Sequence, residues 1–340
     1  MTTFLPQRFL LSPKLWLSLV LFLNLFLPQY SGAHEARPAY LEVKENPTGR
    51  LNINWTRPIR DGRVLAIHPV FPESCEILGN RTKLEMNAVM HERWQLTCDS
   101  SLLSTGKVSI EGLNNVISDV LMRFENEHGE LRTQVLNRKN PDFDFTRTSA
   151  EIKSIAPYYF RLGLEHIAGG IDHLVFVLGL LLLIQGLMNL LKTITAFTLA
   201  HSVTLAAAIL GYVHVPSAPV EAVIALSIVF LAREIVADTQ AGLSRRIPWL
   251  VAAIFGLVHG LGFAGGLSEI GLPESEIPLA LLMFNLGVEA GQLAFVALAL
   301  LVMSFVRRVL TNAQEGLQRI SAYAIGSLAS FWLIERIGGY

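Results

Sequence analysis

Cysteine and charge are both scarce in this chain. Of 340 residues only Cys75 and Cys98 are cysteines, 16% are charged, and the formal net charge is -1. A balance so close to zero excludes readings driven by strong net charge, so no nucleic-acid partner is expected. No C-x-x-C pair is present to make a thiolate metal site. The chain also lacks a G-x-x-x-x-G-K-[ST] loop and does not itself hydrolyse ATP.

What is abundant is apolar: 51% of the residues are hydrophobic, which rules out a disordered or collagen-like chain. Of the 55 charged residues, 33 fall between His34 and Lys153, 20 between Ser154 and Tyr340, and two before His34. An ordinary polar region is therefore joined to one apolar enough for a membrane.

Arg8 and Lys14 precede the apolar run Leu15 to Leu27, which Ser31 and Ala33 follow. That run is short for a spanning helix and suits a secretory leader over residues 1–33, with an uncleaved anchor as the alternative. Export places the next segment, 34–153, in an oxidising space. There a Cys75–Cys98 disulfide closing about 24 residues adds roughly 3 kcal/mol by chain entropy. Strand-like stretches recur at 40–43, 51–56, 64–71, 93–98, 107–110, 120–125 and 131–135, separated by turns such as Asn46-Pro47-Thr48-Gly49. They predict a small all-β, sandwich-like domain whose last two strands form a hairpin. His68, His91 and His128 have no ligand spacing, and nothing in this segment looks catalytic.

Residues 154–340 hold six apolar stretches, at 158–184, 190–213, 217–238, 247–267, 277–305 and 318–335, which predict about six transmembrane helices. The first, third and fifth connections carry Lys192, Arg245 with Arg246, and Arg307, Arg308 with Arg319. The second and fourth carry no Lys or Arg, so the odd connections face the cytoplasm and the β domain lies outside. The expected location is the bacterial inner membrane. Arg161 and Arg336, at external helix ends, are exceptions to this charge rule.

Each ionisable residue within a span costs about 2.5–3.5 kcal/mol on insertion scales and needs a partner or a purpose. Counting from span centres places His173, His201, His259 and Glu289 near the midplane. Glu221 falls near the outer end of its span, and Arg233, Glu234 and Asp238 near an inner end, where an interfacial ion pair explains them equally well. In the fifth stretch Asn285, Glu289 and Gln292 form one polar stripe at i, i+4 and i+7. Buried polar groups in lipid must find one another or water, which points to one shared site. Imidazole with carboxylate suits divalent Ni, Co, Zn, Fe or Mn, and the membrane part has no Cys for a soft ion.

His166 and His173 are seven residues apart, about 10.5 Å on an unbroken helix, too far to grip one ion. Either they are successive stations on a path, which we favour, or Gly169-Gly170 unwinds and brings them together. Asp172 is placed to accept an imidazole N–H and fix which nitrogen faces the ion. The glycines around His259 permit close helix approach or a discontinuous helix. The metal candidates are thus His166, Asp172, His173, His201, His259, Asn285, Glu289 and Gln292.

Taken together, these residues resemble the HupE/UreJ family of membrane proteins. The matching features are H-x5-D-H (His166, Asp172, His173), Phe197-Thr198-Leu199-Ala200-His201-Ser202, the Phe255–Ala264 block around His259, and Phe284-Asn285-Leu286-Gly287-Val288-Glu289-Ala290-Gly291-Gln292. The resemblance implies a nickel, or cobalt, permease of the kind associated with hydrogenase and urease systems. It also implies that His166, Asp172 and His173 bind or conduct the metal. The chain departs from shorter members in carrying Ile167 where they often have Pro, and in its large external domain.

The leading expectation is a secondary transporter or facilitator of a divalent transition metal. It is not an enzyme and has no permanently bound cofactor; its expected partners are the lipid bilayer, the transition-metal ion it carries and an extracytoplasmic protein. Alternatives are a transmembrane b-type haem protein using paired histidines, a membrane-anchored sensor or assembly factor for metalloenzyme maturation, and an intramembrane serine protease. The last lacks a serine where the glycine-rich span carries His259.

Overall fold

The computed structural model describes residues 38–60, 62–86, 89–98, 106–116, 118–147, 155–213, 215–237, 242–268, 277–309 and 314–338. The leader reading of residues 1–33 and Asp238 lie outside them.

Among the described residues ten strands precede the helices: β1 (Ala39–Glu45), β2 (Arg50–Arg60), β3 (Arg63–Val64), β4 (His68–Val70), β5 (Cys75–Met86), β6 (Val89–Cys98), β7 (Lys107–Glu111), β8 (Val120–Glu125), β9 (Leu131–Leu136) and β10 (Asp142–Asp144). The larger sheet runs β5-β6-β2-β1-β8-β9, with β3 paired to β2, and the smaller runs β10-β7-β4. The core lies between them. Alternation along β1 buries Leu41 and Val43 with Ile53, Trp55 and Trp94 of the same sheet, against Val108, Ile110 and Phe143 of the other. The β8–β9 hairpin is antiparallel, Val120 opposite Leu136, whereas β1 and β8 pair in parallel.

Two strands have no counterpart among the sequence expectations. β10 is three residues long, and β5 is an edge strand, mostly exposed, without an apolar alternation to betray it. Its register comes from β6, including the directly paired Cys75 and Cys98, whose sulfurs are bonded. On β6, buried Glu92 pairs with buried Arg57 of β2, whose guanidinium also donates to Leu65 O (3.1 Å) and Ile67 O (3.3 Å).

The opposite face of the larger sheet is not left to water. Tyr40, Leu121 and Val135 sit side by side across β1, β8 and β9. They pack with Ile155, Tyr159 and Leu162, and with Leu205 and Phe284 farther along the chain. Small sheet, large sheet and helices therefore form successive layers.

The helices are α1 (Ala156–Gly169), α2 (Ile171–Leu183), α3 (Leu187–Ile209), α4 (Ser217–Ala237), the single turn α5 (Leu243–Arg246), α6 (Pro248–Ser268), α7 (Ile277–Val309) and α8 (Gln314–Gly338). Among the described residues, Leu187–Ile209 and Ile277–Val306 are long and apolar enough to cross a bilayer, and α1 with α2 makes a third candidate bent by 75°. Of the other expected stretches, Pro248–Gly262 is a shorter apolar helix, α4 carries Glu221, Arg233 and Glu234, and α8 carries Glu335 and Arg336 near its C-terminal end. Outward-facing apolar side chains, such as Leu301 at 69%, Phe305 at 69% and Ile334 at 71% exposure, give the bundle a surface that suits lipid. Inside, Phe176, Leu180, Ile194, Phe197, Ile228 and Leu231 form one core.

Candidate metal centre

The site begins with a break in a helix. Gly170 leaves the helical region at φ -84° and ψ 88°, while its N–H still donates to His166 O (2.9 Å). The 75° bend that follows carries the His166 and His173 rings to 4.8 Å between centroids. This corrects the favoured reading of two separate stations: the hinge outweighs the two-turn rise of a straight helix. The residue must be small here, since a Cβ on Gly170 would lie 2.7 Å from His173 Nδ1.

Two further helices close on the bend. Gly256 and Gly260 let α6 abut α3, because a Cβ on either would collide with the carbonyl oxygens of Phe197 and His201 respectively. That approach brings His259 to 5.1 Å from the His173 ring, while His201 stands 6.3 Å from His166. One ring nitrogen from each of His166, His173 and His201 lies within 4.8 Å of the other two. His173, His201 and His259 are buried, His166 partly so, and Phe176, Phe197 and Phe284 pack around them with tilted or edge-on rings.

The hydrogen bonds assign the tautomers. Asp172 Oδ1 accepts both the His173 backbone N–H (2.9 Å) and its ring Nδ1 (2.9 Å), and an ionised carboxylate can only accept. Asn285 donates from Nδ2 to Leu281 O (2.8 Å), leaving its Oδ1 to accept from His201 Nδ1 (3.3 Å). Ser227 donates its hydroxyl proton to Ile224 O (2.6 Å), so its oxygen accepts from His259 Nε2 (3.3 Å). Each proton is thereby held on the outer nitrogen. The remaining atoms, His173 Nε2, His201 Nε2 and His259 Nδ1, are buried without a hydrogen-bond partner among the described residues. Buried polar atoms are seldom left so, and the nitrogens of His166, His173 and His201 stand close enough together that they could hold a metal ion.

The other candidates divide. Asp172 and Asn285 stand behind the imidazoles as their orienting partners. Glu289 Oε1 instead accepts from Thr195 Oγ1 (2.6 Å), and Gln292 Oε1 from Thr198 Oγ1 (3.0 Å), so these two form an oxygen-rich layer between α7 and α3. Sequence reasoning missed Ser227, whose one signal is a hydroxyl in an apolar stretch. It also set aside Arg336, which donates to Asp172 Oδ2 (3.4 Å).

A family model described as HupE / UreJ protein matches residues 144–336, more than half of the chain and every helix that contributes to the cluster. No curated protein matches.

Proposed function

The chain belongs to the HupE/UreJ family, and from that premise we propose that it is a secondary membrane transporter or facilitator of a divalent transition metal, nickel foremost, with cobalt the main alternative. The observation that carries this reading is the set of buried imidazoles of α2, α3 and α6, each with one ring nitrogen hydrogen-bonded on its far side, gathered beside His166 of α1. Imidazole nitrogen is the donor that Ni and Co share with Zn, and neutral rings exchange an ion more readily than thiolates would. The metal is cargo, no resident cofactor is needed, and the chain is not an enzyme.

In this reading the six apolar stretches cross the inner membrane of a bacterium. Residues 1–33 act as a leader, and 34–153 form an external domain that accepts metal from, or docks, an extracytoplasmic protein. The bend at Gly170 serves as the discontinuous helix that many carriers place at the substrate. A b-type haem would need a flat slot between two imidazoles, and rings packed at 4.8 and 5.1 Å weigh against one.

Purified protein in liposomes tests the proposal. Wild type should take up Ni or Co with no Soret band, and His173→Ala and His201→Ala should each abolish uptake while remaining inserted. Uptake by both variants at the wild-type rate would overturn it.

A further inference from the structure

Arg336 is an anomaly by charge, a cation at the external end of the last helix where the loops are otherwise free of Lys and Arg. Its side chain, 22% exposed, does not reach for water. The guanidinium donates to Asp172 Oδ2 (3.4 Å) at the start of α2 and to Glu221 O (2.9 Å) at the start of α4, and its Nε lies 3.5 Å from Glu221 Oε2. Three helix ends, otherwise distant in sequence, meet on one planar cation. Lysine could not make these bonds at once, because its ammonium has no fork.

The consequence lies in how Asp172 is shared. Oδ1 is occupied by His173, through backbone and ring, and Oδ2 by Arg336. Held at both oxygens, the carboxylate is restrained from rotating, and His173 is kept with Nδ1–H toward it and its buried Nε2 without a hydrogen-bond partner among the described residues. We propose that Arg336 is a positioning residue for the metal site, acting through Asp172 to fix the orientation and tautomer of His173. This rests on the transport-site reading above. Partners one layer behind a ligand typically change metal affinity by about 10- to 100-fold when removed, and Arg336 extends that support across the bundle.

The test uses full-length protein in nanodiscs, with Co(II) as the probe and 15N-labelled histidine. Arg336→Gln should weaken Co(II) binding by roughly 10- to 100-fold, alter its visible d–d bands, and turn the His173 ring signal of metal-free protein from a single Nδ1–H tautomer into a mixture. Arg336→Lys should lie between, and serves if Arg336→Gln fails to insert. Glu335→Gln, an exposed neighbour on the same turn, should match wild type. In an Asp172→Asn background Arg336→Gln should add no further loss. A lowered melting temperature with wild-type affinity and an unchanged His173 signal would assign Arg336 to helix packing alone and overturn the inference, as would an equal loss in the Asp172→Asn background. If wild type binds no Co(II), the transport-site reading fails, and the His173 signal alone then decides: unchanged in Arg336→Gln, it overturns the positioning role.

Discussion

Adding one methyl group at Gly170 should damage the proposed metal site, whereas adding the same group at Gly169 should not. The Cβ of an alanine at 170 would stand 2.7 Å from His173 Nδ1, 3.0 Å from His166 O and 3.4 Å from Asp172 Oδ1. At 169 it would meet nothing within 4 Å. Backbone strain does not enter, because φ at Gly170 is -84° and open to any residue. The conflict is one of volume, and overpacking of this kind costs about 1–3 kcal/mol. It falls on the histidine that must move to relieve it, so the ligand cluster bears the cost and the metal dissociation constant should rise about 5- to 150-fold. Gly169→Ala should leave it unchanged, with a helix gain of at most about 1 kcal/mol. Isothermal titration of each variant with Ni or Co provides the assay. Wild-type affinity in Gly170→Ala, or equal losses in both variants, would refute the argument that the bend assembles the site.

Three further outcomes follow from the β layers. Glu92→Gln leaves the buried guanidinium of Arg57 without its counter-ion and should cost about 3–5 kcal/mol in denaturation followed by the fluorescence of Trp55 and Trp94, with the double Arg57→Met, Glu92→Met variant recovering most of it. Leu121→Ala empties the contact between sheet and helices and should cost about 2–5 kcal/mol, read as earlier proteolysis between the two parts. Burial and the nearby Arg93 hold the His91 ring below the ordinary histidine value of 6.5. The unfolded chain therefore binds its proton first, so the contribution of His91 to stability is complete above pH 6.5 and is lost as pH falls from there through the folded-state value. His91→Gln should flatten that decline in melting temperature.

Much of the site was legible because lipid makes polarity conspicuous. His173, His201, His259 and Asn285 each stand out in an apolar stretch, and Asp172 beside His173 announced a hydrogen bond within one turn. The convergence of His166 with His173 was not legible, since Gly169-Gly170 allows a hinge without setting its angle. Nor were the long-range partners: Arg336 reaches Asp172 across 164 residues, and Ser227 meets His259 only where α4 and α6 pack together in the fold. In the β region, strands with one apolar face were readable from alternation. β5 was hidden because an exposed edge strand carries no burial pattern, and the docking row of Tyr40, Leu121 and Val135 shows only once parallel pairing of β1 with β8 aligns it.

X-ray absorption of the Ni-loaded protein tests the central claim most directly. The ion should show a first shell of about three imidazole nitrogens near 2.0–2.1 Å, as in other imidazole–metal bonds, with the outer-shell scattering of rigid rings, and should lose one ring in His201→Ala. An all-oxygen shell, or a spectrum unchanged by that substitution, would contradict it.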